Sequence, residues 1–460
     1  METPGGRRRN TWPPLWAVVI LMAALPLLRT GAHPAGAAVP EPQFAPYASY
    51  PAGFYAESIA VADFTGDGRK DIVGNSVWHI DPARGFKLFL FPQQADGSFT
   101  EGARLDMVPY EYPHYVTTLD AGDLDGDGRA DVAVGTPAGI DVFLQRDGGL
   151  APRLPTPAPG TMNVKLADID GDGRLDALTS GTNGVSWLRG AGDGTFGTPV
   201  AVSASRMLVE TGHFNRDGRL DIVGVDGSTL YVYRQLADGS FSATATTSVG
   251  DGGIAVGDLN NDGLDDVALT VASNRPSSSV SVRSQRPDGS LGPAVFYPAY
   301  DIPKPLAIVD VNGDGRKDVV TVHDGWYADG VLLQDTDGHL TTERLYSIPY
   351  INYRGEPLAV EDVSGDGRPD IVQFAGDRFL VQKAMAPLPP TTTSSTPTSS
   401  TTSTTAPPTT TTTAPRPVVP DEATSWQIDP AHSGGASGGS QRPPLSRRWS
   451  RDLGLSLIHI

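Results

Sequence analysis

Between two short apolar runs, residues 123–131 read DLDGDGRAD, a nonapeptide with oxygen-bearing side chains at positions 1, 3, 5 and 9 and glycine at position 6. The same pattern recurs as DFTGDGRKD from Asp63, DIDGDGRLD from Asp168, HFNRDGRLD from His213, DLNNDGLDD from Asp258, DVNGDGRKD from Asp310 and DVSGDGRPD from Asp362. The seven starts are spaced 60, 45, 45, 45, 52 and 52 residues apart. A fixed period of this size marks stacked supersecondary units and not one irregular domain.

Each copy sits between two short strands, as IAVADF and DIVG flank the first, with the alternation expected of a strand that buries one face. A third strand and an Asp-Gly hairpin turn follow, at Asp96-Gly97, Asp193-Gly194, Asp238-Gly239 and Asp288-Gly289. Adding a fourth strand gives the size of one propeller blade. The expectation is therefore an all-β, seven-bladed β-propeller of four-stranded blades. The seventh unit ends after three strands, near Phe379–Ala384. The segment Phe44–Tyr50 resembles a fourth strand and is predicted to pair with that blade, closing the ring and removing its open edges.

Composition agrees. The 460-residue chain holds 53 glycines and 40 prolines, 39% hydrophobic residues and no cysteine, which suits many tight turns and leaves core burial or metal to stabilise it. A net charge of -18 argues against nucleic acid and anionic membrane surfaces as partners.

The nonapeptides explain that charge. Calcium takes about six to eight oxygen ligands in a flexible cage, and glycine at position 6 permits the sharp turn. The expected ligands are Asp63, Thr65, Asp67 and Asp71; Asp123, Asp125, Asp127 and Asp131; and Asp168, Asp170, Asp172 and Asp176. They continue with Asn215, Asp217 and Asp221; Asp258, Asn260, Asp262 and Asp266; Asp310, Asn312, Asp314 and Asp318; and Asp362, Ser364, Asp366 and Asp370, with the position-7 carbonyl completing each set. His213 opens the fourth copy, a poor ligand for a hard cation, so that site is expected to be weak or empty. Seven Ca²⁺ would bring +14 against the formal -18. The plain alternative is seven turns stabilised by aspartate without metal.

On these loops the chain resembles the FG-GAP/VCBS repeat family, related to the integrin α-subunit propeller and to some fungal lectins, over about Pro40–Ala384. The resemblance implies a calcium-binding propeller of secreted or cell-surface proteins. The Phe-Gly-Gly-Ala-Pro signature survives only as Phe196-Gly197.

The domains expected are a signal peptide over 1–37, the propeller over 38–386, a Thr/Ser/Pro-rich linker or stalk over 387–420 and a disordered tail over 421–460. The signal reading rests on Arg7–Arg9, an apolar run from Leu15 to Leu28 and small residues at Ala35–Ala37; an uncleaved anchor is the alternative. Leu455–Ile460 (LSLIHI) matches a translated sequencing adaptor. Location is expected to be extracellular or at the cell surface, without membrane insertion after cleavage, and the protein a monomer.

A ligand face is expected opposite the nonapeptides, where aromatics gather on units six, seven, one and two. The candidates are Trp78, His79, Tyr112, His114, Tyr115, Trp326, Tyr327 and Tyr353, with Tyr50, Phe54, Tyr55, Tyr110, Tyr297, Tyr300 and Tyr350 beside them. Aromatic rings with polar tips suit sugar stacking and protein hot spots. Filling of gaps between blades is the alternative, and Trp187 is assigned to the core. The function read from this is a non-enzymatic binding or adhesion module for a glycan or an extracellular protein. A polysaccharide hydrolase or lyase is the alternative, using His79 and His114 beside Asp81 and Glu111.

Overall fold

A computed structural model describes residues 41–76, 85–109, 118–248, 250, 252–324, 327–349 and 357–385. Every regular element among them is a β-strand. No described helix is long and apolar enough to cross a membrane.

The strands form seven antiparallel four-stranded sheets in a ring. Blade 1 is Ser58–Ala62, Asp71–Ser76, Lys87–Phe91 and Arg104–Asp106. Blade 2 is Leu119–Gly122, Asp131–Thr136, Gly139–Phe143 and Leu154–Pro157, with a small hairpin at 145–150. Blade 3 is Thr161–Ala167, Asp176–Gly181, Gly184–Leu188 and Val200–Ser203. Blade 4 is Leu208–Gly212, Asp221–Asp226, Thr229–Gln235 and Phe241–Thr247. Blade 5 is Gly253–Gly257, Asp266–Val271, Ser279–Arg283 and Val295–Pro298, and blade 6 is Pro303–Val309, Asp318–His323, Ala328–Leu332 and Arg344–Ser347.

Blade 7 takes three strands, Leu358–Glu361, Asp370–Ala375 and Arg378–Gln382, from the end of the domain. Its fourth is Ala48–Pro51 from the beginning, pairing Tyr50 with Phe379. Gln43–Phe44 adds a second pairing with Ala384–Met385. The closure expected of the 44–50 segment is therefore present. It converts two unpaired sheet edges into internal hydrogen bonds.

The junction also holds an aromatic cluster. Phe54 is fully buried and stacks on Phe89 at 4.0 Å, Tyr50 stacks on Phe379 at 5.1 Å, and Phe91 meets Phe379 at 5.0 Å. Gly74 belongs here for a steric reason: a Cβ at that position would lie 2.6 Å from the Phe374 ring.

One expectation about patterning needs correction. The first and second strands of the blades are not half-buried; Ser58–Ala62 is buried at all five positions, and Asp71–Ser76 and Asp131–Thr136 at all six. Each blade is sandwiched between two others, so both of its faces are interior. Alternation survives on outer strands, as in Ala48–Pro51 and Arg344–Ser347, and in part on Thr229–Gln235 of blade 4.

Candidate metal-binding loops

All seven nonapeptides connect the first strand of a blade to its second, and position 9 is the first residue of the second strand each time. The position-6 glycines, Gly68, Gly128, Gly173, Gly218, Gly263, Gly315 and Gly367, have φ between 77° and 85°, a left-handed conformation that costs glycine nothing. Position 4 is left-handed as well, including Arg216 and Asn261 at 58° and 59°. That requirement was missed in the sequence, although glycine at position 4 of five copies carried the signal.

Position 1 organises the turn. The Asp63 carboxylate accepts the backbone N–H groups of Gly66, Asp67 and Gly68 at 2.6, 3.1 and 2.7 Å. Asp123, Asp310 and Asp362 accept the equivalent three, Asp168 accepts two, and Asp258 accepts those of Asn260, Asp262 and Gly263. The aspartate-stabilised turn is therefore present in six of the seven loops.

Position 9 is the buried staple. Asp71, Asp131, Asp176, Asp221, Asp266, Asp318 and Asp370 are completely buried. Each carboxylate accepts the position-2 N–H on one oxygen and an N–H at the end of the third strand on the other. In blade 2 these are Leu124 and Gln145 at 2.9 and 2.7 Å; in blade 6 they are Val311 and Gln334 at 3.1 and 2.8 Å. Burial drives these carboxyls upward despite the hydrogen bonds, to about 6 at Asp131, Asp176 and Asp370 and about 7 at Asp266 and Asp318. Asp71 and Asp221 shift the same way. The neighbouring loop carboxylates add to the rise, which is the electrostatic setting a cation relieves.

Two loops bring three carboxylates together. Oxygens of Asp123, Asp125 and Asp131 lie within 4.8 Å of one another, as do those of Asp168, Asp170 and Asp176. Oδ1 of Asp125 is buried and has no hydrogen-bond partner among the described residues. These are oxygen donors clustered around one point, and they fit a hard divalent cation. In the other loops Thr65, Asn215, Asn260, Asn312 and Ser364 supply the position-3 oxygen, so fewer carboxylates converge.

The fourth loop does not fit. The His213 ring sits where the aspartate would be, with Nδ1 3.0 Å from the carbonyl oxygen of Arg219 at position 7. The imidazole thus engages the position-7 carbonyl of its own loop.

Arginines crowd the same carboxylates. Arg69, Arg129, Arg219, Arg316 and Arg368 at position 7 pair with the aspartate at position 5. Arg189 reaches Asp170 and Asp172 at 2.8 and 2.7 Å, and Arg146 pairs with Asp125 and Asp127. Glutamines link the loops around the ring. Gln93 Nε2 donates to Val363 O at 2.7 Å, Gln235 to Ile169 O at 2.8 Å, Gln285 to His213 O at 2.8 Å and Gln334 to Asp258 O at 3.2 Å. The ninth-position carboxylate holds each of these glutamines by its backbone while its amide grips the preceding blade's loop. Their recurrence after the third strand was the missed signal.

Of the predicted ligand-face residues, Trp78, His79, Tyr112, His114, Tyr115, Trp326 and Tyr353 lie outside the described residues, as do Tyr110 and Tyr350. Tyr327 is 57% exposed and Tyr55 39%. Tyr300 is half-buried, edge-on to His323 at 5.4 Å and beneath the Arg275 guanidinium at 4.2 Å. Tyr50, Phe54 and Tyr297 are not surface groups but pack into or against the core, because the chain enters each blade through the gap between neighbours. Trp187 is buried as expected.

Seven closed sheets with these loops define the protein as a seven-bladed β-propeller built from acidic-loop repeats. The FG-GAP-like repeat family matches residues 123–179, 213–269 and 310–372, so the propeller carries FG-GAP-like repeats at three places in the ring. No curated protein matches the sequence. Among solved structures, an Agrocybe aegerita lectin specific for non-reducing terminal N-acetylglucosamine is 19% identical, with a TM-score of 0.49 over 75% of this chain and 94% of the lectin. BBS1N, solved in complex with ARL6DN, is 12% identical, with a TM-score of 0.50 over 76% of this chain and 98% of that one. A Lactobacillus plantarum protein is 13% identical, with a TM-score of 0.47 over 67% and 89%. At these identities the likeness concerns the fold alone.

Proposed function

We propose that this propeller is an extracellular binding module whose loops hold structural calcium. The observation that carries the calcium reading is the convergence of Asp123, Asp125 and Asp131, with one buried Asp125 oxygen left without a partner among the described residues. Calcium would be held by the side-chain oxygens at positions 1, 3, 5 and 9 and the carbonyl at position 7, in every loop but the fourth. Its charge would offset carboxylates that burial and mutual repulsion otherwise hold partly protonated. Extracellular calcium modules bind with Kd of roughly 10⁻⁴–10⁻³ M, and a tenfold excess over Kd contributes about 1.4 kcal/mol per site.

The partner, a glycan or an extracellular protein, would meet the face opposite those loops, at the sector carrying Tyr55, Tyr300 and Tyr327. The protein's role there is recognition and not catalysis. Thermal melting of the full chain with calcium or with chelator tests the first half: the expected result is a markedly lower melting temperature in chelator, and an unchanged melt rejects it. Glycan-array and protein-binding screens of the wild type and Tyr327→Ala test the second. Binding that Tyr327→Ala leaves untouched would remove this sector as the site.

A further inference from the structure

The seven outer strands are not equivalent. Six are short, and each carries a device that blocks further pairing. Arg104–Asp106 is three residues with a charge at both ends, and Arg344–Ser347 begins with arginine. Leu154–Pro157, Val295–Pro298 and Ala48–Pro51 contain proline, which cannot donate to a ladder, and Pro199 abuts Val200–Ser203. Such charges and prolines keep exposed edges from pairing with other chains.

Blade 4 has none of these within its outer strand; among the described residues, the one charge that reaches it is the Arg283 guanidinium, which donates to Thr247 O at the strand's end at 2.8 Å. Its outer strand Phe241–Thr247 (FSATATT) spans seven residues, pairs with Thr229–Gln235 along its whole length, and has no described strand on its other side. It has no proline and no charge, three β-branched residues, and six of its seven positions exposed.

We propose that this strand is a self-association edge, at which a second copy of the chain adds its own Phe241–Thr247 strand antiparallel across a two-fold axis. The sequence is self-complementary in that register: Thr244 faces Thr244, Ala243 faces Ala245, and Ser242 faces Thr246. Hydroxyl side chains therefore meet hydroxyl side chains at the three central pairs of even number, the small alanines leave the approach clear, and Phe241 faces Thr247 at each end. Charge favours a second copy at this strand over acidic parts of the surface. Two molecules of net charge -18 repel, and the strand itself carries no carboxylate, Asp288 lying in the groove beside Thr244–Thr246. An antiparallel edge is also isologous, so one pairing satisfies both copies and the assembly stops at two. This departs from the monomer expected of the sequence.

Sedimentation velocity on the full chain in calcium, up to about 100 μM, where even weak isologous contacts populate, tests the proposal. The wild type is expected to sediment as a dimer at the top of that range. Thr244→Glu and Thr244→Lys place like charges face to face at the dyad and are each expected to sediment as monomers. An equimolar mixture of the two is expected to recover the dimer. Hydrogen exchange on the unmodified chain supplies a readout that needs no variant: the amides of 241–247 are expected to slow as concentration rises. A monomeric wild type, a dimer indifferent to both substitutions, a mixture that stays monomeric, or exchange at 241–247 independent of concentration would each overturn it.

Discussion

Asp329 lies in the third strand of blade 6, completely buried, and its nearest polar partner is Gln373 on the second strand of blade 7. Gln373 Nε2 donates to Asp329 Oδ2 at 2.7 Å, while Asp329 Oδ1 and Gln373 Oε1 have no partner among the described residues. Burial pushes the carboxyl from its ordinary 3.8 up to about 7. The folded protein therefore keeps the proton that the unfolded chain releases above pH 3.8. Stability from this group is fully present below the unfolded value, falls as pH rises, and is lost once pH passes the folded value. At about 1.4 kcal/mol per pH unit, the interval from pH 5 to the folded value corresponds to about 3 kcal/mol. Asp329→Asn removes the titration and offers Gln373 a matching amide, a donor for its Oε1 and an acceptor for its Nε2. Denaturant unfolding of wild type and variant at pH 5 and pH 8, in saturating calcium, measures the difference. The variant is expected to gain about 3 kcal/mol on the wild type between the two pH values. An equal stability difference at both would refute the reasoning, because the buried group would then carry the same charge in both states.

Three further outcomes follow from the geometry. Phe54→Ala empties the fully buried site against Phe89 at the ring junction and should cost about 3–5 kcal/mol by denaturant midpoint, with a loss under about 1 kcal/mol counting against that packing. Deleting residues 41–52 strips the outer strand from blade 7 and should give a chain that aggregates and melts without a sharp transition; a soluble, cooperatively melting product would show that closure is dispensable. His213→Asp frees the Arg219 carbonyl and restores the position-1 carboxylate, so calorimetric titration should find one more calcium per chain than in the wild type.

The repeat count, the blade size, the loop positions and the N-terminal closing strand were all legible in the chain, because each depends on residue types at fixed local spacing. Aspartate and glycine in DLDGDGRAD dictate the turn wherever it stands, and a blade with three strands needs a fourth. The roles of particular side chains were less legible. Asp71 and its equivalents read as loop ligands; that packing also buries them and ties them to the backbone of the loop and of residues such as Gln93, 22 positions on, was not legible. Tyr50 and Phe54 read as surface aromatics because sequence gives spacing but not the direction in which a chain enters a gap between blades.

By itself, the sequence determined that acidic turns punctuate seven sheets and that those sheets must close, since hydrogen-bond geometry and strand-edge chemistry are local. Only the tertiary structure decided which carboxylates are desolvated, that the His213 ring meets the Arg219 carbonyl, and that among the described outer strands one is long and free of charge and proline. Those properties arise where blades press together, and contacts between residues far apart in the chain leave no local pattern to read.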